Sequence, residues 1–229
     1  MKYLLFALLA VSSATAQTKL TDRRVSDFHS IKIQGKFKVY ITQADAETVK
    51  LDAPDTLLGH IVTIVQLGVL KVRYQRKDWF DKHRDQNRPR VTVYITTKRL
   101  KSLTSSGSTD IHFNEGIKAD NLYLTTRGSG HIEGKVTAKN IENRMSGSGH
   151  IQLDGSADYA SVHISGSGEF SGRDLLTAEA RVHISGSGHA VVNASDQVGA
   201  TLHGSGGMSY TGTTNVHTSK TGSASISRL

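Results

Sequence analysis

The residues best equipped for chemistry recur at fixed distances from a Gly-Ser-Gly motif. Three positions after its first glycine stand Asp110, His131, His150, Glu169 and His189, and three before it stand Arg144, His163 and His183. Neutral imidazoles and carboxylates are ligands for zinc and similar divalent ions. If consecutive motifs stack as successive layers, His163 neighbours His183, and Glu169 sits beside His150 and His189. His150, His163, His183, His189 and Glu169 are then candidate ligands. The alternative is that these are outward strand positions, polar because they face water. If two motifs make one turn, the cluster dissolves. No metal is assigned on this pattern alone.

A second cluster is cationic and aromatic. Residues 71–101 hold eleven Lys and Arg against three Asp, a net +8 that equals the formal charge of the whole chain, so the remainder balances. Within them lies a polar loop, residues 75–90, where Trp79 and Phe80 sit among Lys77, Lys82, Arg84, Arg88 and Arg90. Aromatic rings interleaved with cations can stack on sugars and attract uronic acids or phosphates. These seven residues form the candidate ligand-contact patch. The competing reading tucks Trp79 and Phe80 against a sheet and leaves the charges in water.

Catalysis has less to stand on. Glycan hydrolases and lyases need paired carboxylates or a base with a charge partner. The acidic residues of the second half, such as Asp120, Glu133, Glu142, Asp154, Asp158, Asp174 and Glu179, show no recurring pair. Residues 130–135 imitate a phosphate-binding loop, but three residues separate the glycines where four are needed, and Val136 replaces the Ser or Thr. No catalytic residue and no cofactor is assigned.

The elements that carry these residues are strands joined by tight turns. Turn glycines stand at Gly107, Gly128 and Gly130, Gly147 and Gly149, Gly166 and Gly168, Gly186 and Gly188, and Gly204 and Gly206, with a degraded copy at Gly222, every 18–21 residues. A period in this range signals a solenoid. Four residues after the first glycine come Ile111, Ile132, Ile151, Phe170, Ala190, Met208 and Ile226. Apolar residues alternating on both sides of a glycine turn mean strand, turn, strand. Stacked rungs about 4.8 Å apart would bury such columns as ladders. The first half alternates too, through Phe28, Ile31, Ile33, Phe37, Val39 and Ile41, with Gly35 as a bulge or turn, and again through Val91, Val93 and Ile95.

Composition narrows the class further. The chain has 229 residues, no Cys, 37% hydrophobic and 6% aromatic residues, so its core must be built from Ile, Val, Leu and Ala. Without Cys there is no disulfide, thiolate metal site or lipid-modified cysteine. Residues 1–16 read as a secretory signal peptide: Lys2, an apolar run over residues 4–11, and Ala14-Thr15-Ala16 as a cleavage site. No later stretch is apolar enough for a transmembrane helix. Nucleic acid is not an expected partner for an exported protein.

Taken together, the strand Ser30-Ile31-Lys32-Ile33-Gln34-Gly35-Lys36-Phe37-Lys38-Val39, the approach Leu100-Lys101-Ser102-Leu103 and the Ser-Gly-Ser-Gly-His-Ile rungs resemble the bacterial "putative auto-transporter adhesin, head GIN domain" family. The resemblance covers residues 25–212 as one continuous domain. It implies an all-β, right-handed β-helix with a pectin-lyase-like shape, turning at its Gly-Ser-Gly motifs. It also implies export in Bacteroidetes-like bacteria and a role in adhesion, and it supplies no catalytic residues. The expected organisation is a signal peptide (1–16), an N-terminal β half (25–100) and a solenoid half (101–229). The expected function is an exported, non-catalytic binding module at the cell envelope or surface. An anionic glycan or another cell-surface component is the expected partner. The alternatives are a structural envelope protein that forms homo-oligomers through its solenoid ends, and a glycan-active enzyme.

Overall fold

The computed structural model describes residues 18–75, 91–212 and 215–229. In chain order come β1 (Thr18–Arg23), β2 (Ser30–Gln34), β3 (Phe37–Gln43), β4 (Thr48–Pro54), the helix α1 (Asp55–Leu58), β5 (Ile61–Gln66), β6 (Val69–Tyr74), β7 (Val91–Thr97) and β8 (Ser102–Gly107). They are followed by β9 (Asp110–Gly128), β10 (His131–Gly147), β11 (His150–Gly166), β12 (Glu169–Gly186), β13 (His189–Gly204), β14 (Gly207–Thr211), β15 (Asn215–Gly222) and β16 (Ser225–Arg228). All the strands join one sheet, wound into a β-solenoid of about seven turns with rungs of about 19 residues.

One motif closes one turn. β9 to β13 pair in parallel, with Gly128 on Gly147, Gly147 on Gly166, Gly166 on Gly186 and Gly186 on Gly204. The alternative of two motifs per turn is thereby excluded. The column Ile111, Ile132, Ile151, Phe170, Ala190 and Met208 is buried along its whole length. Phe170 stands in register with Ala190, so a large side chain is offset by a small one and the interior stays filled.

The first rungs are not stacked in chain order. The rung formed by β2 and β3 lies between β6–β7 on one side and β8–β9 on the other. Outside β6–β7, β5 pairs antiparallel with β6, β4 with β7, and β1 with β4. These antiparallel strands close the N-terminal end of the solenoid. Neither β1 nor the short α1 is signalled by the hydrophobic pattern, since β1 is polar and α1 is a single turn.

The other end closes differently. Leu202, an inward residue, is in register with Lys220 on the last rung. The Lys220 ammonium donates to the Ala224 carbonyl oxygen at 3.2 Å. A charge at an inward position of an edge strand opposes addition of a further strand.

Polar side chains interrupt the inner columns around Asn143. Asn143 occupies an inward position between Leu124 and Val162 and is 0% exposed. Ser105 and Thr126, on neighbouring rungs, are also buried. Among the described residues, neither amide atom of Asn143 and neither of these hydroxyls has a protein hydrogen-bond partner.

Candidate functional site

The turn glycines set the frame for every surface residue. At Gly147 φ is +111°, and a Cβ there would fall 2.7 Å from the Gly128 carbonyl oxygen. That oxygen also accepts the Ser148 N–H at 3.0 Å, so each turn rests directly on the one before it. Gly149 serves a different need, because a Cβ there would strike the Thr126 methyl at 2.7 Å inside the solenoid. The motif thus locks the rungs in register and divides the surface into a face after the turn and a face before it.

The row of turns begins at Gly35, whose N–H donates to the Ser106 carbonyl oxygen at 2.9 Å. In the adjacent outer rung, Arg73 pairs with Gln34, and Val91 pairs with Phe37. The basic loop of the sequence falls between β6 and β7. Its candidate residues Lys77, Trp79, Phe80, Lys82, Arg84, Arg88 and Arg90 lie outside the described residues.

On the face after the turn, two outward columns run side by side. One reads Lys38, Asp110, His131, His150, Glu169 and His189. The other reads Tyr94, Tyr40, His112 and Glu133. Tyr94 and Tyr40 stack with ring centroids 5.5 Å apart, and His112 continues the stack at 5.2 Å. The Lys38 ammonium lies 5.1 Å from the Tyr40 ring centre. Glu133 joins the columns, with its carboxylate 2.6 Å from His112 Nδ1 and 2.8 Å from His131 Nε2. Hydrogen bonds from His131 and then His112 hold the Glu133 carboxyl below the ordinary carboxylate range. His131 in turn stacks on His150 at 5.0 Å.

The candidate metal ligands are neighbours, as stacking requires. His150 Nδ1 lies 3.4 Å from the Glu169 carboxylate, and Glu169 is in register with His189. On the face before the turn, His163 is in register with His183, their rings 5.9 Å apart and inclined at 44°. Among the described residues no three His, Asp or Glu side chains converge to hold an ion. The reason is geometric. His150 and His189 are two rungs apart, roughly 10 Å along the axis, whereas ligands of one zinc sit about 2 Å from it.

The face before the turn carries Arg144, Arg181 and several histidines. One column reads Arg144, His163, His183, Thr201, and its neighbour reads Glu142, Ser161, Arg181, Gly199, His217. Arg144 is already engaged, its Nε 2.5 Å from the Glu142 carboxylate. Partial burial, then the Arg144 and His183 charges, lower the pKa of His163. Over Gly199 lies an open cleft of about 590 Å³, lined by residues that include Tyr159, His163, Arg181, His183 and His217.

Among the described carboxylates, Asp154 is in register with Asp174 on the next rung. Both are exposed, without the enclosing wall that acid–base chemistry uses to exclude water. The Tyr40–Tyr94 stack, the His112–Glu133 contact and the Gly199 cleft are absent from the sequence-based candidates. Of these, His112–Glu133 carried a signal, since its 21-residue spacing equals that between Gly107 and Gly128.

Comparison with solved structures finds the same fold. The chain is similar to a "putative adhesin" from Bacteroides fragilis NCTC 9343, with 22% identity and a TM-score of 0.84 over 94% of this chain and 98% of that one. It is also similar to a "putative lipid binding protein" from Parabacteroides distasonis ATCC 8503, with 24% identity and a TM-score of 0.75 over 93% of this chain and 97% of that one. A "putative adhesin" from the same organism gives 21% identity and 0.74, over 93% and 98%. No curated protein matches the chain. Among the described residues no helix is long and apolar enough to cross a membrane. Residues 27–214, nearly all of the solenoid, match the family described as "Putative auto-transporter adhesin, head GIN domain", and the chain belongs to that family.

Proposed function

We propose that the protein is an exported, non-catalytic binding module that acts as an adhesin at the bacterial cell envelope or surface, with an acidic glycan as its partner. The observation that carries this is the outward Tyr94–Tyr40 stack, with Lys38 beside it. Tyrosine offers a rigid apolar body and a polar tip at low entropic cost, which suits it to recognition surfaces. Rings stacked along the solenoid axis leave their edges and phenolic hydroxyls to solvent, in reach of a polymer lying along the rungs. Family membership supports adhesion as the role. The basic loop is proposed as a further contact for the same acidic partner, because Trp79 and Phe80 stand among Lys77, Lys82, Arg84, Arg88 and Arg90 in the sequence. In that reading Trp79→Ala leaves thermal melting unchanged and weakens glycan retention.

Two experiments test the proposal. Cell fractionation with protease shaving should find the protein exported and cleaved on intact cells; a wholly cytoplasmic protein would contradict it. Retention on a panel of immobilised acidic and neutral glycans should favour the acidic members, and retention on none would remove the binding role. The alternative of assembly through solenoid ends is opposed by Lys220 on the last inward column.

A further inference from the structure

Gly199 is a glycine that the fold does not require. Its backbone lies in the ordinary extended region, and a Cβ there would meet only Arg181 Cγ at 3.6 Å, an ordinary contact. By contrast, a Cβ at Gly186 or Gly204 would fall 2.5 Å from a carbonyl oxygen. Glycine inside a strand is destabilising relative to alanine, and it marks places where a ligand or another chain approaches closely. No backbone from elsewhere in the described residues comes within 4 Å of that Cβ position. What Gly199 supplies is the floor of the cleft, a gap in the column between Arg181 and His217.

The charged group in the wall of the gap is Arg181, and imidazoles stand around it. The cleft lining contains Arg181, His163, His183 and His217 and no Asp or Glu. Arg181 lies with its guanidinium carbon 5.8 Å from the Tyr159 ring centre, a contact that steadies the long side chain at the edge of the cleft. Hydroxyls of Ser161, Thr201, Thr218 and Ser219 also line it, with Ser161 Oγ 3.1 Å from His163 Nε2. A planar guanidinium matches a carboxylate in a two-pronged hydrogen bond. The imidazoles add further N–H donors, and the hydroxyls match those of a sugar. The cleft volume of about 590 Å³ falls within the usual range for ligand sites, about 300–1,000 Å³.

We propose that the cleft over Gly199 binds a uronic acid unit of a carboxylated glycan. Arg181 takes the carboxylate, His163, His183 and His217 donate around it, and Gly199 leaves room for the sugar ring. This rests on the binding-module reading and gives it a second contact, across the row of turns from Tyr40 and Tyr94.

The test is titration calorimetry of the full chain with a galacturonic acid hexamer, with neutral dextran of similar size as control. The wild type should bind the hexamer and ignore dextran. Gly199→Val, which fills the gap with a strand-compatible side chain, and Arg181→Gln should each weaken binding at least tenfold while melting like the wild type. If the wild type binds the hexamer but both cleft variants bind it equally well, the cleft assignment is overturned and the binding-module reading survives. If the wild type binds neither the hexamer nor any member of the glycan panel, both fall.

Discussion

Tyr40 lies flat against Tyr94, with ring centroids 5.5 Å apart and planes 12° from parallel. The two residues are distant in sequence and come together because β7 is laid down outside β3. Side chains in one column are held about 4.8 Å apart by the backbone ladder, so aromatic neighbours stack without adjustment. The same spacing sets His112 on Tyr40 and Glu133 on His112. The surface of this protein is therefore a set of columns, and function has to be sought in columns and in their gaps.

Two glycines should respond in opposite ways to alanine. Gly147→Ala places a Cβ 2.7 Å from a carbonyl oxygen at φ +111°, and backbone strain alone costs about 1–3 kcal/mol. Gly199→Ala meets nothing closer than 3.6 Å and removes a strand glycine, so stability should hold or rise by about 0.5–1 kcal/mol. Urea denaturation of both variants checks this. Equal destabilisation at the two sites would mean that Gly199 has a structural role after all.

Asn143→Leu should stabilise the protein. The amide is fully buried and its described surroundings offer no partner. An unsatisfied buried polar group costs about 1–3 kcal/mol, which leucine, with the same number and branching of side-chain heavy atoms, would recover. Leu124 and Val162, the residues in register with it, already form an apolar column. A fall in melting temperature would show that the amide is satisfied in solution.

Acid should destabilise the fold in two steps. His163 is held below its ordinary value of 6.5, first by burial and then by Arg144 and His183. The unfolded chain therefore binds the proton more readily, and stability is lost as pH falls below about 6.5 toward the lowered native value. Glu133 is held below 4.5 by His131 and His112, so its contribution is present above that pH and lost below it. Melting temperatures between pH 7.5 and 3.5 should fall less for His163→Gln in the upper interval and less for Glu133→Gln in the lower one. Parallel curves for variants and wild type would remove both assignments.

Lys220→Leu should make the protein self-associate. The substitution continues the inward column of Leu202 onto an open edge and removes the charge that discourages strand addition. Sedimentation velocity should show the wild type as a monomer and the variant as larger species at the same concentration. A monomeric variant would mean that Lys220 does not guard this end.

The solenoid half was legible because its glycines keep time. Once Gly128, Gly147 and Gly166 were aligned, Ile132 and Ile151 had to share a buried column, and His163 had to stand near His183. The first half obscured its neighbours, since β6 and β7 return to the outside of β2 and β3 and no period links Tyr40 to Tyr94. Gly199 was hidden among 22 glycines, most of which serve turns or close packing. Only the space around it distinguishes it. Lys220 stands outside every sequence-based pattern, and only its register with Leu202 gives it an inward position.

The claim that this protein is a binding module working through its tyrosine column is tested most directly by one affinity comparison. The dissociation constant for the best-retained acidic glycan of the panel is measured for the wild type and for Tyr40→Ala/Tyr94→Ala. At least a tenfold loss is predicted, with the variant still folded by circular dichroism. Equal affinity in the two proteins would contradict it.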